Sequence, residues 1–197
     1  MKNDLIICGI DEAGRGAWAG PLVAAAVILP CSITQVAKLT KTKIKDGKLL
    51  SPQNRRKIVT AIKKLKVQKV VEVIGSRQIN NRGITFCNRE ILRRLIRRVP
   101  ADKYIVDGKL KLGRINGKTH KIQTLVDADA TVPEVILAGI VAKVERDKIM
   151  RKLHRQFPKY NWMKNKGYGT KSHLEAIVKY KTTYIHRSIY TTTALRK

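Results

Sequence analysis

Acidic side chains that directly follow short apolar stretches are the residues of this sequence best suited to catalysis. The set comprises Asp11 with Glu12, Asp107, and Asp127 or Asp129. Neighbouring strands of one sheet can bring their ends together, so we expect these carboxylates to converge. Like charges so close together repel strongly, and their clustering is stable only if cations neutralise them. Mg²⁺ or Mn²⁺ fits, because both ions prefer oxygen ligands and no His/Cys set in the sequence has ligand spacing.

Two such ions, about 3.5–4 Å apart, would activate a water molecule and stabilise the leaving oxygen in phosphodiester hydrolysis. The pattern leaves alternatives open at two places. Asp107 precedes Gly108, so this pair also fits a simple turn. Asp127 and Asp129 are equivalent by pattern, because residues i and i+2 of an extended chain face the same side.

The first acidic pair is followed by a basic, glycine-rich segment over residues 13–21. Gly14 and Gly16 permit backbone conformations closed to other residues and let the main chain approach a ligand closely. This arrangement suits a cation held by oxygens beside a phosphate or sugar held by backbone amides and the Arg15 guanidinium. The alternative is a strand followed by an ordinary turn with a solvated acidic pair.

The charge of the chain indicates a polyanionic partner. Its 42 Lys and Arg residues against 14 Asp and Glu residues give a formal net charge of +28 and a pI near 10.5. Nucleic acid is the usual partner of so basic a protein. We expect no membrane association, since the sequence has no apolar run of about 18 residues. Charge alone also fits a non-enzymatic RNA- or ribosome-binding protein.

Length and hydrophobic periodicity predict an α/β domain with a mixed sheet. A chain of 197 residues with 43% hydrophobic residues can form one compact domain. Strands are predicted at 5–10, 22–29, 67–74, 104–106 and 121–126, and helices from residue 52, at 84–99, at 133–155 and at 172–180, with a surface loop over 30–51. Three widely spaced cysteines and an N-terminus without a signal-like segment predict a cytoplasmic protein.

Seven segments together resemble the ribonuclease HII family, the type 2 ribonucleases H. They follow the family's order from residue 6 to about residue 188: 11–21, 46–51 (DGKLLS), 106–108 (VDG), 129–134 (DATVPE), 142–147 (AKVERD), 165–170 (NKGYGT) and 185–187 (IHR). The resemblance implies a ribonuclease H-like fold, with a mixed five-stranded sheet flanked by helices and a C-terminal helical extension. We divide the chain into a catalytic domain over residues 1–157 and a substrate-junction segment over 158–197, packed on the same domain.

The resemblance also implies an activity. The enzyme would hydrolyse the RNA strand of RNA–DNA hybrids and cut 5′ of ribonucleotides embedded in duplex DNA, leaving 5′-phosphate and 3′-hydroxyl ends. Two ions of Mg²⁺ or Mn²⁺ would serve as cofactors, and the protein would act as a monomer. The alternative within the same fold is a nuclease that cuts all-DNA duplex.

The family's functional residues transfer onto matching positions. The catalytic, metal-binding carboxylates fall on Asp11, Glu12, Asp107 and Asp129, and the following Val-Pro-Glu selects Asp129 over Asp127. Gly14, Arg15 and Gly16 would sense the ribose 2′-hydroxyl, which distinguishes RNA from DNA. Tyr168 would stack on the sugar at the RNA-to-DNA junction, and Lys48 and Lys166 would contact the substrate.

Other residues are predicted to support the site. Lys143 and Asp147 are spaced i and i+4, which favours an ion pair on one helix face, and Arg146 lies beside them. His173 and His186 lack ligand spacing and suit capping or hydrogen bonding in the core.

The chain departs from the family pattern at three positions and carries one unusually basic segment. Gly47 replaces serine, Ala128 replaces glycine and Gly139 replaces serine, which could weaken metal affinity or shift it towards Mn²⁺. The basic residues of the predicted helix 84–99 either track a nucleic-acid backbone or are solvated: Arg89, Arg93, Arg94, Arg97 and Arg98.

Overall fold

The computed structural model describes residues 5–44, 49–113, 115 and 121–195, and a five-stranded mixed sheet lies at its centre. The order across the sheet is β3-β2-β1-β4-β5. β1 is antiparallel to β2, which is antiparallel to β3, whereas β1, β4 and β5 are parallel. The strands are β1 (Ile7–Ala13), β2 (Leu22–Ile28), β3 (Gln68–Ile74), β4 (Lys103–Asp107) and β5 (Ile122–Leu125).

Helices cover both faces of this sheet and, within the described residues, three further helices follow the longest helix towards the C-terminus. A 3-10 turn over Pro158–Tyr160 follows the longest helix. Two helices begin with side-chain caps: the Ser51 hydroxyl accepts the N–H of Asn54, and the Thr170 hydroxyl accepts that of His173. The helices are α1 (Ile33–Thr40), α2 (Pro52–Lys64), α3 (Ser76–Arg82), α4 (Ile84–Arg98), α5 (Ala128–Thr131), α6 (Pro133–Gln156), α7 (Trp162–Asn165), α8 (Lys171–Tyr180) and α9 (Ser188–Leu195).

Successive side chains of a strand point to opposite faces of the sheet, so the core is divided into a cluster on each face. Cys8 and Ile10 of β1 pack in one cluster with Ile91 and Leu95 of α4. Ala13 of β1 belongs to the opposite cluster, together with buried residues of β2, α2 and α6. A third cluster joins the end of α6 to the C-terminal helices: Ala19, Met150, Tyr160, Trp162, Ala176, Ile177 and Ile185.

The predicted fold class is confirmed: the protein is α/β with a mixed five-stranded sheet. One boundary prediction is wrong at the first strand, which continues past Ile10. Asp11 pairs with Ala25 and Glu12 with Ala24 in the antiparallel ladder, so both acidic residues lie within β1. The ladder with β2 therefore holds the backbone extended through two residues of low strand propensity.

The predicted loop over 30–51 is also wrong in part, because it contains α1. This helix buries Val36, and the Thr40 hydroxyl donates to the Val36 carbonyl. Half of the helix is polar, and its buried residues, Val36 and Thr40, lie one turn apart on a single face. The short helices α3 and α9 likewise carry no periodic pattern strong enough to predict them. Within the described part of the chain, no helix is long and apolar enough to cross a membrane.

Candidate active site

β1 presents its two acidic residues to opposite faces of the sheet, as expected for adjacent strand residues. Asp11 lies against α6, where a Cβ atom added at Gly139 would be 2.3 Å from Oδ2 of Asp11. Its Oδ1 accepts the backbone N–H of Glu12 at 2.7 Å. Glu12 turns towards α4 and accepts a bond from Nδ2 of Asn88 at 3.3 Å, while its Oε2 is buried without a hydrogen-bond partner among the described residues.

The next parallel strand supplies the third carboxylate, and α5 supplies the fourth. Val106 of β4 pairs with Ile10, so Asp107 follows at the same edge of the sheet as Asp11. The backbone N–H of Asp129 lies 3.4 Å from Oδ1 of Asp107. Asp129 is buried, whereas Asp127 is exposed and has a left-handed backbone with φ of 57°. The pattern could not separate these two residues, but the fold gives them different environments.

The four carboxylates affect one another electrostatically. Burial raises the pKa of Asp11 well above its usual value, and the charges of Glu12, Asp107 and Asp129 raise it further. Burial also raises the pKa of Glu12, and the nearby Arg15 guanidinium partly offsets that effect. Buried carboxylates that destabilise one another's charge are the situation that a bound cation relieves.

The described residues contain no ready-made metal site: no group of three or more His, Cys, Asp or Glu side chains is arranged to hold an ion. The orientations of Asp11 and Glu12 towards opposite helices account for this. The donor set nevertheless fits a hard divalent cation. It offers oxygen atoms only, and the unpartnered Oε2 of Glu12 is a buried acceptor that an ion would satisfy.

A cavity of about 490 Å³ opens over these carboxylates. Asp11, Glu12 and Asp129 line one part of it. The rest of its lining comes from the glycine loop (residues 13–21), from cationic or aromatic side chains and from α6: Ala13, Gly14, Arg15, Gly16, Arg55, Lys143, Tyr168, Ile136 and Gly139. Acidic groups able to hold cations thus face groups able to hold phosphate and sugar in one space.

Lys143 contacts its own helix and also lines the cavity, and its role in supporting the site stays a prediction. Its Nζ is 2.8 Å from Oδ1 of Asp147, which is the predicted ion pair. The same Nζ lies 5.7 Å from the ring centroid of Tyr168, and Lys143 lines the cavity. Arg55, at the start of α2, lines it as well, and sequence reasoning missed this residue.

Arg146 binds the glycine loop to the segment that carries Tyr168. It is completely buried, with Nε donating to the carbonyl of Pro21 at 3.0 Å and Nη2 to that of Ala19 at 3.1 Å. Its Nη1 donates to the carbonyl of Lys166 at 2.9 Å. Gly14 has a φ of 91°, and a Cβ atom there would lie 2.0 Å from Nε of Arg146. Only glycine therefore fits at position 14.

A second buried arginine, Arg187, completes this loop from the C-terminal end of the chain. Its Nε donates to the carbonyl of Gly20 at 3.0 Å and its Nη1 to that of Arg15 at 2.9 Å. The Tyr190 hydroxyl also donates to the Arg15 carbonyl, at 3.1 Å. Burial and the neighbouring Arg146 charge lower the pKa of Arg187 to about 10. Sequence reasoning assigned Arg187 no role, and its place in the IHR segment was the one available signal.

One predicted substrate residue, Lys166, stands apart from this cavity. The Nζ of Lys166 donates to the Met163 carbonyl, and its side chain does not belong to the described lining of the cavity. Lys48 lies outside the described residues, as does Gly47. Contact of either lysine with substrate stays a prediction.

The basic face of α4 is partly paired within the protein. Arg93 donates from Nε to the Leu112 carbonyl at 2.8 Å. Arg94 and Arg97 lie near Glu90, and Arg98 pairs with Glu72. Arg97 and Arg98 stay substantially exposed despite these contacts, so both alternatives for this face stay open.

A mixed five-stranded sheet with acidic residues on its adjacent parallel strands, β1 and β4, is the arrangement of a ribonuclease H-like nuclease. The family model for ribonuclease HII matches residues 8–193. A ribonuclease HII of Aliarcobacter butzleri (strain RM4018) is 36% identical over 197 residues, which cover 99% of this chain and 94% of that protein. The chain therefore belongs to the ribonuclease HII family and is a type 2 ribonuclease H, a hydrolase with endonuclease activity.

Solved structures have the same architecture. The Archaeoglobus fulgidus ribonuclease HII, solved in complex with PCNA, gives a TM-score of 0.77 at 25% identity over 93% of this chain and 94% of that chain. A Bst-RNase HIII in complex with Mn²⁺ gives a TM-score of 0.72 at 21% identity, covering 98% of this chain and 70% of that chain. At that identity the second likeness concerns the fold alone.

Proposed function

We propose that this ribonuclease H cuts on the 5′ side of a ribonucleotide, both in RNA–DNA hybrids and where a ribonucleotide is embedded in duplex DNA. The products would carry 5′-phosphate and 3′-hydroxyl ends. The observation that supports this most directly is the composition of one cavity. It combines carboxylates from β1 and α5 with the Gly14–Gly16 loop and the Tyr168 ring. Groups suited to hydrolysis and groups suited to recognising a ribose therefore line the same cavity.

Asp11, Glu12, Asp107 and Asp129 would hold two divalent ions, Mg²⁺ or Mn²⁺. When bound, such ions activate water and stabilise the leaving oxygen of a phosphodiester. The chain's own contribution is to bury Asp11 and Glu12 near the charges of Asp107 and Asp129, which raises the pKa of both buried groups. The repulsion between these carboxylates favours cation binding. To hold an ion jointly, Asp11 and Glu12 would turn away from their contacts with α6 and α4.

The glycine loop would select the ribonucleotide. Gly16 is exposed and its backbone atoms would be accessible to a 2′-hydroxyl, the group that distinguishes RNA from DNA at a given position, while the buried Gly14 lines the same cavity. Arg146 and Arg187 hold the loop through four bonds to its backbone carbonyls. A loop held in this way could discriminate a nucleotide that has the 2′-hydroxyl from one that lacks it, because the loop's amides need no rearrangement on binding.

Cationic residues of the cavity would bind the backbone of the substrate. Arg15, Arg55 and Lys143 line it beside the carboxylates. The net charge of +28 adds attraction that does not depend on sequence and weakens with salt. The alternative within this fold, a nuclease that cuts all-DNA duplex, gives the glycine loop and Tyr168 no function. Family membership argues against the non-enzymatic RNA-binding alternative.

Three further expectations belong to the proposal. The protein would act as a monomer in the cytoplasm, on nucleic acid. Residues 1–157 would form the catalytic domain and residues 158–197 the segment at the substrate junction. The contacts of Arg146 with Lys166 and of Arg187 with Arg15 support a single folded unit.

The test is cleavage of a labelled DNA duplex containing one ribonucleotide, with Mg²⁺ or Mn²⁺, beside an all-DNA duplex of the same sequence. We expect one cut on the 5′ side of the ribonucleotide and no cut in the all-DNA duplex. An intact ribonucleotide substrate in both metals would refute the proposed function, and cleavage of the all-DNA duplex would favour the alternative nuclease.

Matched variants test the carboxylates. Asp11→Asn, Asp107→Asn and Asp129→Asn should abolish cleavage while duplex binding persists. Asp127→Asn is the control, because Asp127 is exposed and lies two residues from Asp129. Equal activity of the Asp129 and Asp127 variants would show that the fourth carboxylate is misassigned.

A further inference from the structure

Two buried histidines, His173 and His186, lie beneath the segment that carries Tyr168. His173 is completely buried and His186 is 3% exposed. They pack with Trp162 and Tyr160 in the third core cluster, with ring centroids of the two histidines 5.4 Å apart. The proposed function gives these histidines no role.

The hydrogen bonds of His173 determine its tautomer. The Trp162 indole N–H donates to Nε2 of His173 at 3.0 Å. An indole nitrogen can only donate, so Nε2 of His173 carries no proton. The ring proton of neutral His173 is therefore on Nδ1, which lies 2.9 Å from the carbonyl oxygen of Tyr168. His173 thus donates a hydrogen bond to the main chain of Tyr168.

The same reasoning determines the tautomer of His186. The backbone N–H of Thr183 donates to Nδ1 of His186 at 2.9 Å. The proton of neutral His186 is therefore on Nε2, which lies 3.3 Å from Nε2 of His173. The His186 N–H therefore points to Nε2 of His173 and shares, at the longer distance, the single lone pair that accepts the Trp162 indole N–H. These hydrogen bonds form a relay from Thr183 to Tyr168.

Both histidines must be neutral for this relay to exist. A proton added to His173 would place its Nε2–H against the Nε2–H of His186, and a proton added to His186 would place its Nδ1–H against the backbone N–H of Thr183. Burial lowers the pKa of both histidines, and the neighbouring His173 helps to lower that of His186 to about 4. The relay is consequently intact at neutral pH.

Tyr168 needs such an anchor because glycines flank it on both sides. Gly167 has a φ of 80°, and a Cβ atom there would lie 2.4 Å from the Ala19 carbonyl oxygen. The Tyr168 N–H donates to the Asn165 carbonyl at 2.9 Å, and the Tyr168 carbonyl accepts from Nδ1–H of His173 and from the backbone N–H of Thr170, each at 2.9 Å. Its ring lies 5.1 Å from Cζ of Arg146. The main chain is thus held at both polar groups while the ring faces the cavity.

We infer that His173, set in its Nδ1–H form by Trp162 and His186, is a positioning residue for Tyr168. It fixes the tyrosine backbone so that the ring meets the sugar at the RNA-to-DNA junction. This inference rests on the proposed role of Tyr168 in recognising that junction. A histidine that merely fills the core would stabilise the fold without affecting junction recognition.

The test measures a ratio in each variant: the kcat/KM for a single ribonucleotide in duplex DNA over that for a continuous RNA–DNA hybrid. Tyr168→Ala should lower the ratio about tenfold, as expected for a lost stacking contact. His173→Asn should lower it about three- to tenfold, as expected for a lost hydrogen bond. Combining the two changes should lower the ratio no further than Tyr168→Ala alone, because His173 acts through Tyr168.

Ile177→Val is the control for loss of packing. Ile177 is buried in the same cluster, and the substitution removes one methylene without touching the relay. The ratio of this variant should equal that of the wild type. An unchanged ratio in Tyr168→Ala would refute the proposed role of Tyr168. A lowered ratio in Tyr168→Ala with an unchanged ratio in His173→Asn would overturn this inference alone. Equal losses from His173→Asn with and without Tyr168 would also overturn it.

A spectroscopic measurement tests the relay even if His173→Asn fails to fold. In wild-type protein with ¹⁵N-labelled histidine at pH 7, long-range ¹H–¹⁵N spectra should show the proton of His173 on Nδ1 and that of His186 on Nε2. The opposite tautomer at His173, or a charged imidazolium at either residue, would overturn the inference.

Discussion

Oδ2 of Asp11 occupies the space directly above Gly139 of α6, only 2.3 Å from where a Cβ atom of a larger residue would lie. Glycine at this position, where the family has serine, therefore gives the carboxylate a resting place against the helix. The departure noted in the sequence thus bears on the orientation of a proposed metal ligand.

Gly139→Ala should strengthen metal binding. The added Cβ closes the space over α6, so the Asp11 carboxylate must move into the cavity, towards the position it needs to hold an ion. We expect the Mg²⁺ concentration for half-maximal cleavage to fall severalfold, and calorimetric titration to show tighter binding. Gly75→Ala is the control, since a Cβ atom there meets no other atom within 4 Å. Weaker Mg²⁺ binding in Gly139→Ala would contradict this account.

Asp11→Asn should stabilise the protein in the absence of metal. The pKa of Asp11 is raised in the folded state, so the native protein binds more protons than the unfolded chain at pH values above the usual pKa. The ionised group therefore destabilises the fold at pH 7, and its removal should raise the free energy of unfolding by about 1–2 kcal/mol. Urea denaturation in the presence of a chelator measures this change.

Added Mg²⁺ should reverse the order of stability. It should raise the Tm of the wild type more than that of Asp11→Asn, because the ion binds the native carboxylates only. Asp127→Asn should behave as the wild type in both conditions. A destabilised Asp11→Asn in chelator would mean that Asp11 is not under electrostatic strain.

His186 should make stability depend on pH. Its pKa falls from 6.5 to about 4 on folding, so the unfolded chain binds more protons between these values. The free energy of unfolding therefore decreases as pH falls from 6.5 towards 4, by up to about 3 kcal/mol. Asp11 and Glu12 have raised pKa values and act in the opposite direction. The quantity to measure is therefore the difference between wild type and His186→Asn, which should shrink as pH falls. A difference that is constant from pH 7 to pH 4.5 would exclude titration of His186.

Arg146→Lys should be strongly destabilising although it keeps the charge. Lysine cannot reproduce the planar fork that reaches the carbonyls of Ala19, Pro21 and Lys166. We expect a loss of about 2–4 kcal/mol in the free energy of unfolding, with a lower rate of cleavage. Arg155→Lys, at an exposed position of the same helix, should change neither quantity. Similar effects of the two substitutions would argue against the carbonyl contacts.

Arg55→Gln should weaken binding of all duplex substrates to a similar extent. Arg55 lines the cavity, where it can neutralise a phosphate. Removing one phosphate contact should reduce the slope of log binding constant against log salt concentration by about 1. Lys57→Gln, exposed on α2 two positions later, should leave the slope unchanged. Fluorescence anisotropy with a catalytically inactive background, Asp107→Asn, gives both slopes. An unchanged slope in Arg55→Gln would place Arg55 outside the binding surface.

The sheet was largely predictable because its strands are short apolar stretches with local signals. β2 and β3 lie within one residue of their predicted bounds. The end of β1 was not predictable, because pairing with Ala25 and Ala24 of β2 keeps the backbone extended at Asp11 and Glu12. Local pattern contains no information on that partner.

The proposed site was predictable to a different degree. Carboxylates after apolar strands signal a site by type and position, and the fold brings Asp107 and Asp129 into contact. The contacts that shape the glycine loop have no local signal, because they join residues far apart in the chain. Arg146 reaches Ala19 across 127 positions, and the tautomer of His173 depends on Trp162 and His186 together.

Arg187 donates to the carbonyl of Arg15 from 172 positions later in the chain. All five strands are complete by Leu125, so the sheet and its acidic residues can assemble early during synthesis. The glycine loop, by contrast, lacks its last donors until Arg187 and Tyr190 have been synthesised. A translation product that ended before Arg187 would therefore carry the acidic residues of the strands without the donors that hold the glycine loop.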